Sequence, residues 1–166
     1  MKKVIVFSMM CLMGMATMGM LNSCKKDQTS KDGYVNLGLP SGTKWRYSNE
    51  TNSNSGNEFF TYDEAVAKFG SNLPTKKQME ELKNSCKWKW KGGSYKVTGP
   101  NGNYINLPAS GYRSCGGEVY GVGDYGCYWS SSQGASDDAW SLLFNSASMY
   151  MGSYERCDCR SVRLVQ

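Results

Sequence analysis

Hydrophobic and polar positions follow three successive patterns along this chain. From Val4 to Leu21 no charged residue interrupts a run rich in Met, Val and Leu, and Lys2 and Lys3 stand ahead of it. Beyond it, Tyr34 to Leu39 alternates in a strand-like way. Pro40-Ser41-Gly42 turns that segment towards Thr43-Lys44-Trp45, and 49–58 is a polar, low-complexity loop. Two helices are then predicted. Thr61 with Glu64 makes a capping box ahead of Ala65, Val66 and Phe69, and Gly70 is placed to stop that helix. Thr75 with Gln78 opens the second, Lys76–Cys86, with Met79, Leu82 and Cys86 on one face. From Trp88 the period falls to two, with Trp88 and Trp90 facing away from Lys87, Lys89 and Lys91, which read as the wet face of a strand. Residues 95–98 and 103–107 form a hairpin across Gly99-Pro100-Asn101-Gly102, because Pro100 presets one turn angle and Asn101-Gly102 tolerates positive φ. The segment 111–128 carries six glycines and reads as loop, and strands are expected from Tyr128, over Ala139–Phe144 and over Arg160–Val165.

The N-terminal run has the length of either a signal peptide or a membrane helix. Leu21-Asn22-Ser23-Cys24 decides between them: a large apolar residue at −3, a small one at −1 and then Cys suit a lipoprotein signal peptidase. Residues 1–23 are therefore expected to be a cleaved signal peptide. Cys24 is expected to be the lipidated first residue of the mature protein, 24–33 a polar tether, and 34–166 one domain. The mature chain would have 143 residues, 166 less 23, enough to bury roughly two thirds of its unfolded surface. The expected location is the cell envelope, at the outer membrane, with the domain periplasmic or surface-exposed.

Formal charge falls from +5 to +3 once Lys2 and Lys3 leave. No basic stripe remains of the kind nucleic acid requires. The chain contains no histidine, which removes Ser-His-Asp and Cys-His triads, His-based zinc sites and the usual neutral-pH general base. Of seven cysteines, Cys11 leaves with the signal and Cys24 takes the lipid. Cys115 and Cys127, twelve apart across the Gly-rich loop, are the expected disulfide in an oxidising compartment. Cys86, on the apolar helix face, reads as a buried free thiol. Cys157-Asp158-Cys159 lacks a second ligand pair, so no metal and no cofactor are expected.

The ordered segments YVNLGLPSGTKW, LPTKKQMEEL, CKWKW, YKVTGPNGNYINLPASGYR, YWSSS, WSLLFNS and RSVRLV resemble the Fibrobacter succinogenes major paralogous domain of Bacteroidetes lipoproteins, over roughly 33–166. That family looks like a relative of the formylglycine-generating sulfatase-modifying domains. The resemblance implies an α+β, C-type-lectin-like fold, loop-rich, with two short helices and small antiparallel sheets. It does not carry activity across. The copper-binding cysteine pair of those enzymes is spaced differently from Cys157 and Cys159, and the calcium motifs of sugar-binding lectins do not occur. Asp137-Asp138 reads as a solvated turn.

A binding surface is expected at Ser146–Arg160, SASMYMGSYERCDCR, where diversified lectin-like proteins place their variable patch. Tyr150, Tyr154, Arg156 and Asp158 are its candidate ligand-binding residues, since Tyr among Ser and Gly offers large amphipathic contacts at low ordering cost. The bland alternative is ordinary turn and edge-strand residues. Three functions follow: a non-catalytic binding or adhesion module for a glycan, peptide or surface ligand; a structural cell-envelope lipoprotein without a small ligand; or an unusual enzyme of the sulfatase-modifying kind.

Overall fold

The computed structural model describes residues 29–52 and 58–166. The expected signal peptide, Cys24 and the expected tether as far as residue 28 lie outside them. The first strands, β1 (Tyr34–Asn36) and β2 (Lys44–Arg46), pair antiparallel with Val35 opposite Trp45. Thr29 bridges back to Val35, so the chain just ahead of Tyr34 already folds onto β1.

After β3 (Phe60–Thr61) come the two helices at the places the capping boxes mark. In α1 (Tyr62–Phe69) the Thr61 side chain accepts from the Glu64 N–H, the Glu64 carboxylate accepts from the Thr61 N–H, and Gly70 ends the helix at φ 51°. In α2 (Lys76–Ser85) Thr75 and Gln78 repeat the arrangement, while Met79 and Leu82 are fully buried and Cys86 packs half-buried against the same core. Each box satisfies backbone donors that the first turn leaves unpaired.

The rest is strand. A meander of β4 (Lys87–Trp90), β5 (Ser94–Thr98) and β6 (Tyr104–Pro108) forms around the expected hairpin, with Val97 opposite Ile105. Lys87 and Lys89 are exposed, and Trp88 and Trp90 lie edge-on to Tyr95 at 5.5 and 5.0 Å. The segment expected as loop holds a small hairpin, β7 (Tyr112–Arg113) and β8 (Val119–Tyr120). A second meander follows: β9 (Gly126–Gln133), β10 (Asp138–Phe144) and β11 (Met149–Glu155), with β11 at its edge. The last strand, β12 (Cys159–Arg160), enters between β3 and β7.

The expected α+β, C-type-lectin-like class is therefore corrected. Among the described residues the fold is β-rich, with twelve strands in four small sheets and two short α-helices. The expected strand over Arg160–Val165 is also corrected: its ladder stops at Arg160. Residues 161–165 are all buried, yet their backbone groups go to different segments. Ser161 N–H donates to Cys127, Val162 C=O accepts from Glu50, Leu164 C=O accepts from Arg46, and Val165 N–H donates to Asn72. This segment threads the interior and ties the sheets together. No helix among the described residues is long and apolar enough to cross a membrane.

Candidate ligand-binding site

The edge strand β11 presents alternate residues to one face, which puts Tyr150, Gly152 and Tyr154 together. Gly152 is required for close approach: a Cβ there would lie 2.5 Å from Cε2 of Tyr154. The Tyr154 ring thus lies along the strand, and its hydroxyl meets that of Tyr150 at 3.3 Å.

Facing them is the β7–β8 hairpin, where Tyr112 and Tyr120 are direct cross-strand partners with rings 5.6 Å apart. Tyr125 completes the rim. These five tyrosines, with Asn145, Asp158 and Arg160 among other residues, line a cavity of about 360 Å³. That volume falls at the low end of the roughly 300–1,000 Å³ of small-molecule sites. Tyr150, Tyr120 and Tyr125 remain 48 %, 47 % and 46 % exposed, and Val119 and Val122 extend the apolar surface beside them. An exposed apolar cluster around a cavity is a feature of interaction sites.

A covalent tie holds the two walls together. Cys115, in the β7–β8 turn, is bonded to Cys157 in the turn after β11, with Cα atoms 5.1 Å apart. The expected Cys115–Cys127 pair is therefore corrected. Cys127 sits on β9 inside the buried sheet while Cys115 is exposed at a hairpin tip, and burial pushes the free Cys127 thiol up to about 11. Among the described residues Cys86 and Cys159 are also free. Cys115, Glu155 and Cys157 lie close enough together to share a metal ion, but the disulfide removes both sulfurs as thiolate ligands.

Two buried arginines on the C-terminal thread behave differently. Arg163, 1 % exposed, is saturated: its guanidinium donates to the carbonyls of Arg46, Tyr47 and Asn106 and twice to Asn49 Oδ1. It organises the interior. Arg160, 2 % exposed, donates from Nη2 to Asp158 at 2.9 Å, whereas its Nε and Nη1 have no acceptor among the described residues. Aromatic faces surround it instead, with Tyr154 at 4.1 Å, Trp129 at 4.9 Å and Tyr112 at 5.4 Å from its guanidinium carbon. Cation–π contacts of this kind offset part of the cost of burying the charge. Burial, aided by the Tyr150 hydroxyl, pushes the Tyr154 phenol up to about 12, so Tyr154 stays a neutral hydrogen-bonding group at ordinary pH.

Of the four candidates read from the sequence, Tyr150, Tyr154 and Asp158 come together in this cavity. Arg156 does not. Its side chain turns to the start of α1, ion-pairs with Asp63 and lies 5.0 Å from the Tyr62 ring. Sequence reasoning missed Tyr112, Tyr120, Tyr125 and Arg160. The Tyr-among-Gly signal that singles out 146–160 is equally present in 111–128, whose six glycines suggest only loop.

Residues 90–165 match a family model described as a domain of unknown function, DUF8237, and every residue named as lining the cavity falls within that span. No curated protein matches the chain, and no solved structure does. The chain is thus similar, over β5 to β12, to a domain that includes the whole tyrosine-lined cavity.

Proposed function

We propose that this chain is an exported lipoprotein, acylated at Cys24, whose folded domain is a non-catalytic module that binds an extracytoplasmic ligand in the tyrosine-lined cavity. The observation that carries the reading is the convergence of Tyr112, Tyr120, Tyr125, Tyr150 and Tyr154, from separate segments, on one cavity with Arg160 in its wall. Aromatic rings supply contact area at low entropic cost, and a buried arginine with unpaired donors calls for an explanation other than packing. Binding, rather than catalysis, is supported by the chain's lack of histidine and by the tie-up of Cys157 in a disulfide. The disulfide also accords with an oxidising compartment.

Two measurements test this. Radiolabelled palmitate should enter the wild-type protein in a bacterial host and not Cys24→Ala; labelling of both, or of neither, refutes the anchor. Capture of a ligand from glycan and peptide arrays should fall about tenfold or more in Tyr150→Ala, a loss of roughly 1.4 kcal/mol, with an unchanged melting temperature. Equal capture by both proteins would refute the assigned site.

A further inference from the structure

We propose that the ligand is a neutral oligosaccharide, one sugar ring seated among the tyrosines with its hydroxyls on Asp158 and Arg160, and the chain continuing towards Trp90. This inference rests on the binding-module reading and names its ligand class. The argument begins with charge. Asp158 and Arg160 are ion-paired in the cavity wall at 2.9 Å, so the charged residues lining it sum to zero. A cationic ligand would place its charge beside the Arg160 guanidinium, which already occupies the faces of Tyr154 and Tyr112. An anionic ligand would place its charge beside the Asp158 carboxylate. A hydroxyl-bearing ring meets neither obstacle. Each hydroxyl both donates and accepts, which matches a wall where the Asp158 carboxylate adjoins its guanidinium partner and Asn145 and Ser148 add further polar groups.

The aromatic surroundings supply the second half of the match. A pyranose has an apolar C–H face, and the exposed rings of Tyr120, from β8, and Tyr150, from β11, both line the cavity. The volume of about 360 Å³ suits a ring with its substituents rather than a long chain. A second, more polar cavity of about 500 Å³ abuts the first, and the two share Tyr125 and Asn145. Trp90 lies in its wall, together with Asp124 and the glycine backbone at 92, 93 and 123. A linear oligosaccharide would cross from one to the other over Tyr125.

The test uses the full chain, purified in a detergent without a sugar headgroup, on an array of neutral oligosaccharides of graded length. Uronic-acid and sialylated counterparts and acidic and basic peptides share the array. Neutral oligosaccharides should bind, more tightly as length increases, and Tyr150→Ala and Tyr120→Ala should each weaken them about tenfold. Both rings are nearly half exposed, so the variants should fold, which melting curves would verify. Tyr125→Ala should remove the dependence on length while sparing the shortest ligands. Tyr150-dependent binding confined to acidic glycans or to peptides would overturn the neutral-sugar class and leave the binding module standing. No Tyr150-dependent binding of any probe would overturn both.

Discussion

Replacing Cys115 and Cys157 together by serine should lower stability by about 4 kcal/mol. The bridged residues are 42 apart in sequence, and closing a loop of that length removes about 13 cal/mol/K from the unfolded chain, or about 4 kcal/mol at 25 °C. With an unfolding entropy of about 2.1 cal/mol/K per residue over about 140 folded residues, the melting temperature should drop by roughly 14 °C. The double variant is preferable to either single one, since a lone thiol near the free Cys159 could re-pair. Thermal unfolding by circular dichroism reads the shift, and reductant added to wild type should reproduce it. The pairing has its own assay. Trypsin cleavage after Arg113, Arg156 and Arg160 places Cys115 and Cys127 in one peptide and Cys157 with Cys159 in another. A non-reduced digest should contain the two peptides joined, with fragmentation locating the link at Cys157. Release of the second peptide unlinked, or an unchanged melting temperature in the double variant, would refute the reasoning.

The two buried arginines should separate in urea unfolding. Arg163→Met leaves three backbone carbonyls and Asn49 without their donor and should cost about 4 kcal/mol or more, whereas Arg160→Met loses one charge-assisted hydrogen bond and its ring contacts and should cost about 2 kcal/mol; equal losses would contradict their assignment to different roles. Alkaline stability should be limited by Tyr128 and Cys127. Burial raises Tyr128 from 10.0 to about 12 and Cys127 from 9.0 to about 11, so the neutral acids are favoured in the fold. Their contribution is whole below the unfolded values and lost as pH rises from 9 through 12. For Tyr128 that loss is about 3 kcal/mol, and Tyr128→Phe should flatten the fall in melting temperature between pH 10 and 12. Gly152→Ala should leave the β10–β11 pairing intact but displace the Tyr154 ring, whose Cε2 would be 2.5 Å from the new methyl. Near-ultraviolet dichroism should change and array capture should weaken, while far-ultraviolet dichroism should not move.

The C-terminal thread shows why local pattern does not determine the fold class of this chain. Across residues 161–165, Ser161 and Arg163 alternate with Val162 and Leu164 well enough to resemble a strand, yet the segment's hydrogen bonds are distributed over Cys127, Glu50, Arg46 and Asn72. Local pattern encodes burial and period, not the partners that receive each N–H and C=O. For the same reason the order of motifs suggested a lectin-like layout, while assembly into four small sheets depends on pairings between distant segments, such as Phe60 with Arg160.

What the sequence determined alone is local. The two capping boxes place both helices to within a residue, because a cap is a contact between positions three apart. The Pro-Asn-Gly turn sets the β5–β6 hairpin, and the spacing of Trp88 and Trp90 sets which side of β4 is buried. It also located half of the site, since Tyr150 and Tyr154 are two turns of the strand pleat apart on one face. Tertiary structure decided the remainder. The β7–β8 hairpin was brought opposite β11, Cys115 was joined to Cys157 rather than to Cys127, Arg156 was drawn away to Asp63, and Arg160 was put in its place. Each of those outcomes depends on the packing of segments far apart in the chain, and spacing along one strand carries no information about it.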